Sequence, residues 1–119
     1  MINIAFEYKR QDLYILDSKY ANERLALVIH PTSTGGGPAY CVLTVNLPND
    51  KLEHGEFFVK TWSENEGIAN HLRVSGIFTD TGKRATTGFT HAEVWKFNDG
   101  EIEENEEVIN SEPEPLRRR

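Results

Sequence analysis

Residues 40–47, Tyr-Cys-Val-Leu-Thr-Val-Asn-Leu, constrain the fold of this chain more than any other stretch. They form its longest run of strand-favouring residues, between a glycine-rich segment at residues 34–38 and the strand-breaking Pro48. Apolar side chains occupy both alternating faces of the run. The pattern predicts a central strand that is covered at least partly on both sides. We expect it to form a hairpin with a strand at residues 24–30.

Other segments with strand patterns lie on either side of this one. The predicted strands are residues 2–8, 13–16, 24–30, 57–62 and 91–97. Residues 9–12 and 20–23 are polar breaks that predict turns, and Asn22 is the residue expected in a left-handed backbone conformation. Further along, residues 80–84 predict a turn and residues 85–88 an irregular segment.

One short helix is predicted at residues 64–74. Ser63 and Glu66 have the spacing of a capping box, in which each side chain bonds to the other residue's backbone N–H. Ile68 and Leu72 then form a buried stripe, since residues four apart share one helix face. Gly67 should weaken this helix by up to about 1 kcal/mol relative to alanine.

These elements predict an α+β fold, a mainly antiparallel sheet of five or six strands with one short helix packed on it. The chain has 119 residues, which suits a single domain at residues 1–97 followed by an acidic, disordered tail at residues 98–119. The tail carries eight carboxylates and three arginines, a charge of −5, whereas residues 1–97 carry a charge of −1.

The nearly neutral domain argues against a general nucleic-acid binder, which needs a strong basic excess. A weaker possibility stays open, in which a small basic patch binds nucleic acid beside the aromatic rings of Phe78 and Trp62. The residues of that patch are Lys60, Arg73, Lys83 and Arg84.

Residue patterns that carry chemistry are not found. The four histidines lack metal-ligand spacing, and residues 35–37 lack the lysine and hydroxyl of a phosphate-binding loop. Cys41 lies on an apolar strand face, which predicts a buried thiol rather than a reactive one. We therefore predict no catalytic residue, no cofactor and no metal. The alternative is a small-ligand or enzyme site that only the fold assembles, from groups such as His71, Glu64 and Tyr40.

The cellular setting follows from the same composition. No apolar run approaches the ~20 residues that cross a bilayer, and the first residues do not resemble a secretory signal. A single cysteine excludes an intrachain disulfide. These features predict a cytoplasmic protein with no membrane partner.

Three segments together resemble a known family. They are Tyr-Ala-Asn-Glu-Arg-Leu-Ala-Leu at residues 20–27, Tyr-Cys-Val-Leu-Thr-Val-Asn-Leu-Pro at residues 40–48, and Phe-Phe-Val-Lys-Thr-Trp-Ser-Glu-Asn-Glu-Gly at residues 57–67. Their order and spacing resemble the small uncharacterised bacterial proteins grouped as domain of unknown function 4313. The resemblance covers residues 13–97 and implies an accessory role on phages, plasmids or other mobile elements. It brings no catalytic residues to transfer.

Small size, the absence of catalytic patterns and the acidic tail predict a non-enzymatic protein-interaction module. The resemblance to mobile-element proteins implies that this module inhibits a host defence or regulatory protein. The predicted partner is thus a host protein, and nucleic acid is disfavoured. An uncovered edge strand would permit a homodimer, so monomer and homodimer both stay open. The candidate partner-binding residues are Trp62, Glu64, Glu66, Lys83, Arg84, Glu103, Glu104, Glu106 and Glu107.

Overall fold

A computed structural model describes residues 2–98, which form seven strands, one turn of 3-10 helix and one α-helix. The candidate residues Glu103, Glu104, Glu106 and Glu107 lie outside the described residues, as does all of the predicted tail except Asn98. The α+β class, the antiparallel pairing and the short helix are confirmed. The single sheet is not, because the strands form two sheets of four and three strands.

The first sheet is fully antiparallel in the order β1-β2-β3-β4. Its strands are β1 (Asn3–Tyr8), β2 (Gln11–Lys19), β3 (Leu25–His30) and β4 (Cys41–Val42). Lys9 and Arg10 join β1 to β2 with φ angles of 52° and 64°. Two successive positive φ angles define a type I′ turn, whose twist suits a two-residue hairpin. The turn predicted at residues 9–12 is thus confirmed in part, and it joins two paired strands.

The second sheet is antiparallel in the order β5-β7-β6, and it follows the helical segment. Its strands are β5 (Glu56–Val59), β6 (Phe78–Thr87) and β7 (Thr90–Phe97). The turn predicted at residues 80–84 and the irregular segment at residues 85–88 were wrong, since both belong largely to β6. The turn-forming residues there make a bulge between Asp80 and Arg84, with Gly82 at φ 88°.

Residues 40–47 do not form the long central strand that their composition predicts. Only Cys41–Val42 pair with β3, and the chain then passes to the second sheet. The Leu43 N–H donates to the Leu27 carbonyl at 2.9 Å, while the Leu43 carbonyl accepts from the Lys60 N–H at 2.8 Å. Residues 41–45 therefore form a seam that joins the two sheets. Cys41 and Leu43 pack against the main core, whereas Val45 and Leu47 pack against a second cluster, so the run contacts the two clusters one after the other.

A buried hydroxyl fixes the seam. Thr44 is 4% exposed, and its Oγ1 accepts from the Leu27 N–H at 3.1 Å and shares a hydrogen bond with the Tyr20 hydroxyl at 2.9 Å. The side-chain amide of Asn65, also buried, donates to the Val42 carbonyl at 2.7 Å. These side chains form hydrogen bonds with backbone groups that have no partner in a strand ladder, because the chain passes there from one sheet to the other.

Both sheets contribute to one main core. It contains aliphatic residues of the first sheet, the aromatic residues Phe57, Phe78, Trp95 and Phe97 of the second, and Ile68 and Leu72 of the helix. The three phenylalanine rings and Trp95 lie with neighbouring centroids 4.9–5.7 Å apart. Trp95 and Phe97 on one face of β7 enter this core, while Ala92 and Val94 on the other face enter a second cluster.

The helical segment begins differently from the prediction. A 3-10 turn covers Ser63–Asn65, and α1 then covers Glu66–Arg73. The capping box was wrong, because Ser63 has a positive φ of 62° and no side chain caps either helical piece. Asn65 lies at the N-cap of α1, but its amide is bonded to the seam instead.

Gly67 allows β1 to approach the helix closely. A Cβ at this position would lie 2.5 Å from the Tyr8 hydroxyl oxygen. Tyr8 is held there, since its ring packs at 5.1 Å from the ring of His71, one turn further along α1. The close approach of Tyr8 to the helix backbone explains why a glycine occupies the first turn of α1.

The turn after β2 also departs from the sequence prediction. Glu23, not Asn22, has the positive φ, at 72°. The Asn22 side chain instead accepts from the Arg24 N–H at 3.2 Å and donates to Asn46 at 3.2 Å. Asn22 thereby stabilises the turn through its amide rather than through its backbone conformation.

Thr44→Val should lower the free energy of unfolding by about 1–3 kcal/mol, because the substitution leaves the buried Leu27 N–H without its acceptor. Urea denaturation measures the change. Thr44→Ser keeps the hydroxyl and should cost less. Equal losses for valine and serine would contradict a role for the hydroxyl and indicate packing by the methyl group.

Gly67→Ala should lower stability despite the higher helix propensity of alanine, because the added methyl displaces Tyr8. In a Tyr8→Phe background the same change should raise the free energy of unfolding by up to about 1 kcal/mol. Thermal and urea denaturation of the unmodified chain, the two single variants and the double variant test this. An equal effect of alanine in both backgrounds would exclude the contact as the cause.

Candidate functional site

The outer face of the second sheet, away from the main core, carries its own apolar cluster. Phe58, Ala92 and Val94 are buried there, and partly buried side chains pack against them. Those covering side chains are Val45, Leu47, Leu52, Trp62 and Ala85. Trp62, a predicted partner-binding residue, therefore contributes to this face and stays partly exposed.

A groove of about 350 Å³ opens on this outer face. Phe58 and Val94 supply apolar floor, and the groove lies between residues 50–51 on one side and β6 on the other. Its lining consists of Asp50, Lys51, Phe58, Lys83, Arg84, Ala85, Thr86 and Val94. The structure thus brings the predicted residue Lys83 to the face that Trp62 covers. Arg84 also lines the groove, but it lies opposite Glu93 in the ladder, and its guanidinium is on the core side of the sheet. We call this surface the outer groove.

One side of the outer groove is held by Arg24, which immediately precedes β3. Its guanidinium donates from Nη1 to the Leu47 carbonyl at 2.8 Å and from Nη2 to the Asp50 carbonyl at 2.7 Å. The five donors of an arginine fork can bond two carbonyls at once, which fixes a loop with little secondary structure. The position of Asp50 and Lys51 therefore depends on a residue of the first sheet.

Lys83 crosses the outer face to an almost buried carboxylate. Its Nζ lies 2.6 Å from Glu56 Oε2 and 4.0 Å from Glu53 Oε2. Only 8% of the Glu56 side chain is exposed. The hydrogen bond from Lys83 lowers the pKa of Glu56, and the same bond raises the pKa of Lys83. Lys83 thus neutralises a buried charge as well as lining the groove.

Arg84 belongs to a network of two arginines and two carboxylates. Its Nη1 and Nη2 each lie 3.0 Å from an oxygen of Asp80, and Nη2 lies 3.8 Å from Glu93. Arg73, in the last turn of α1, bonds to Glu93 and lies 3.4 Å from Asp80. The bond from Arg84 holds the pKa of Asp80 below its usual value. The network joins α1 to β6 and β7.

The side chain of Trp95 completes this network from the core side. Its Nε1 donates to Glu93 Oε1 at 2.9 Å, and the guanidinium carbon of Arg73 lies 5.5 Å from the indole ring. Arg73 therefore stacks on an aromatic ring and bonds to carboxylates at the same time, which suits a guanidinium better than an ammonium.

The four residues of the predicted basic patch are consequently paired with acids. Lys60 forms an ion pair with Glu64 at 2.8 Å, and Lys83, Arg73 and Arg84 are bonded as described above. Phe78 is buried in the main core and offers no stacking surface. The interpretation of these residues as a nucleic-acid patch loses one of its two aromatic partners, Phe78, and most of its available charge.

Glu64 and Glu66 lie at the start of the helical segment, not in the outer groove. Both are exposed. Hydrogen bonding to Lys60 lowers the pKa of Glu64 to about 2, so this residue stays ionised under ordinary conditions. Near them, Cys41 is only partly buried, so the predicted full burial is wrong. Its partial burial still raises the pKa of the thiol to about 11, which favours the unreactive protonated form.

The three groups suggested for a fold-assembled ligand site have separate surroundings. His71 packs against the rings of Phe6 and Tyr8, Glu64 pairs with Lys60, and Tyr40 is 43% exposed beside the seam. None of the three lines the outer groove. Among the described residues, no group of three or more His, Cys, Asp and Glu side chains is arranged to hold a metal ion.

Sequence reasoning missed Phe89, which is fully exposed at the hairpin between β6 and β7. Gly88 has a φ of 63°, and Thr87 pairs with Thr90 across a two-residue loop. Glycine at the first loop position is the signature of a type II′ turn, so the Gly-Phe pair could have revealed the hairpin. Asp50 and Lys51 were missed as well, and no local pattern marks them as groove residues.

Comparisons with family models, with curated proteins and with solved structures found no match to this chain. Within residues 2–98, the structure has no helix of sufficient length and apolar character to cross a membrane.

The Asp80 network should make stability fall in acid. A carboxyl whose pKa is lowered on folding stabilises the folded state above its unfolded pKa of 3.8, and this stability is lost as the pH falls through the lowered value. We expect Asp80→Asn to weaken the protein at neutral pH and to flatten its loss of stability below about pH 4. Urea denaturation across this range measures both effects. Asp12→Asn, at an exposed position, is the control and should keep the slope of the unmodified protein.

Proposed function

We propose that this chain is a small non-enzymatic protein-interaction module that binds an extended segment of a partner protein in the outer groove. The observation that carries the proposal is the groove's composition, in which charged groups of both signs surround the accessible edges of Phe58 and Val94, each 3% exposed. Apolar floors with polar rims are typical of surfaces that bind a partner's side chains. Phe89 adds a large exposed ring on the hairpin that continues from β6.

The charges around the groove favour a protein over a nucleic acid. Lys83 and Arg84 are bonded to carboxylates, so phosphate groups would have to displace Glu56 and Asp80. Lys51 and Asp50 lie side by side on the opposite side. A partner peptide with both polar and apolar side chains can satisfy this mixed lining, whereas a polyanion would meet nearly as many acids as bases.

The wider role follows only from the resemblance of residues 13–97 to small mobile-element proteins. On that basis the partner is a host defence or regulatory protein in the cytoplasm, which this chain inhibits by occupying a binding surface. The candidate residues of the acidic tail would then act as an electrostatic arm that raises the rate of association with a basic region of the partner.

A small ligand is the second candidate for the same groove, because a volume of about 350 Å³ is within the range of ligand pockets. The two candidates differ in what they need. A small ligand would be held by the groove alone, whereas a protein segment would also contact surface beyond it, including Trp62. Trp62→Ala should therefore weaken protein binding and leave small-ligand binding nearly unchanged.

Affinity capture from a bacterial host lysate tests the proposal, with full chains carrying single charge reversals. Lys51→Glu changes the outer groove, whereas Lys19→Glu, at an exposed position of β2, is the matched control. We expect a stoichiometric protein with the unmodified chain and with Lys19→Glu, and a loss of at least about fivefold with Lys51→Glu. Binding should also weaken as salt is raised.

Two outcomes would contradict the proposal. One is the absence of any stoichiometric protein, and the other is equal capture by the Lys51 and Lys19 variants. A further variant with Glu103, Glu104, Glu106 and Glu107 changed to glutamine separates the tail from the groove. If this variant alone loses the partner, the tail and not the outer groove is the binding site.

A further inference from the structure

The outer strand of the first sheet has a row of backbone groups that point away from its neighbour. The two-residue turn at Lys9 and Arg10 makes Tyr8 and Gln11 a hydrogen-bonded pair, and such pairs alternate along an antiparallel ladder. Asn3, Ala5 and Glu7 are therefore the residues of β1 whose N–H and C=O groups face outward. Within residues 2–98, none of these groups has a backbone hydrogen bond outside the strands.

The two outer strands of the fold differ in how they are protected. β6 carries the bulge between Asp80 and Arg84 and two consecutive basic residues, which are common devices against edge-to-edge pairing. β1 pairs with β2 over six residues without any register shift, and it contains no proline and no lysine. The first sheet thus ends in a regular edge suited to accept another strand.

The apolar side chains of β1 are only half covered. Ile4, Phe6 and Tyr8 pack against the main core, yet each remains partly exposed, unlike Leu13 and Ile15 on the neighbouring strand. His71 contacts the rings of Phe6 and Tyr8. A strand added beside β1 would cover this row and extend the core by one position.

We propose that β1 is a dimerisation strand, which pairs antiparallel with β1 of a second copy about a two-fold axis at Ala5. This register places Ala5 opposite Ala5, Asn3 opposite Glu7, and Ile4 opposite Phe6 of the other copy. The three outward-facing residues of each chain then form hydrogen-bonded pairs, with about six backbone hydrogen bonds in total. The two first sheets become one continuous sheet of eight strands.

Repulsion between like charges disfavours the acidic tail as the occupant, whereas a second copy avoids this repulsion. Glu7 already lies opposite Asp12 on β2, and both side chains are exposed. A strand carrying further carboxylates would add a third like charge to this pair, which is unfavourable for directly opposed residues. In the proposed register Glu7 instead faces the amide of Asn3, a neutral donor that already bonds to the Ser33 carbonyl at 3.0 Å.

Self-association of the full chain tests the register. Analytical ultracentrifugation should show a concentration-dependent mass that reaches twice the chain mass of 13.6 kDa. Asn3→Glu places a carboxylate opposite Glu7 and should raise the dimer dissociation constant about tenfold. Adding Glu7→Lys to that variant places opposite charges together and should restore the dimer. Restoration also excludes loss of the Ser33 contact as the cause, because both variants lack it.

A proline at each outer strand supplies the second test. Ala5→Pro removes an outward N–H without breaking the ladder to β2, and it should give a monomer at every concentration. Thr86→Pro is the matched control on β6, where Thr86 lies opposite His91 in the equivalent non-hydrogen-bonded position. Circular dichroism confirms that each variant is folded.

Three results would overturn the inference. They are a monomer at all concentrations of the unmodified chain, a dimer that withstands Ala5→Pro, and a double variant that stays as weak as Asn3→Glu. None of them bears on the outer groove, which lies on the second sheet and can bind its partner whether or not β1 pairs.

Discussion

The structure depends on residues 41–45, whose backbone groups form hydrogen bonds with both sheets at once. A strand in one sheet needs hydrogen-bond partners in one plane, but this seam bonds to Leu27 on one side and to Phe58 and Lys60 on the other. Thr44 makes the change of sheet possible, because its hydroxyl replaces a ladder bond that the Leu27 N–H would otherwise lose. Without the seam, the two sheets would share apolar contacts but no backbone hydrogen bonds among those described.

The sequence predicted local elements better than their assembly. Alternation along residues 2–8 and 91–97 identifies β1 and β7 because each has one face on the core and one on a different environment. The seam was mistaken for a long strand, since strand-favouring apolar residues suit equally well a segment that passes from one apolar cluster to another. β6 was missed because Asp80, Gly82 and Arg84 have turn propensity, and only tertiary pairing with β7 shows that they form a bulge. The capping box failed for a similar reason, because Asn65 forms its bond with the seam and Ser63 has a positive φ.

The predicted site residues were partly brought together. Trp62 and Lys83 share the outer face of the second sheet, Arg84 lines the groove but directs its guanidinium to the core side, and Glu64 and Glu66 lie at the start of the helical segment. Charge alone could not reveal the acidic partners of Lys83 and Arg73, because Glu56 and Glu93 lie 27 and 20 residues away in sequence. The partners of Lys60 and Arg84 are only four residues away. Because each of these bases is paired with an acid, the predicted basic patch is a surface of balanced charge. That balance is the physical reason for preferring a protein partner to a polyanion.

The two bonds from Arg24 have a consequence for how binding and folding are coupled. They fix one wall of the outer groove from the first sheet, while its floor and its opposite wall belong to the second. The groove is complete only when both sheets are folded and joined, so a molecule that occupies it selects the whole fold over any state in which one sheet has separated. Its binding free energy would therefore add to the cooperativity of unfolding, and strands that never touch the ligand would exchange their amide hydrogens more slowly in its presence.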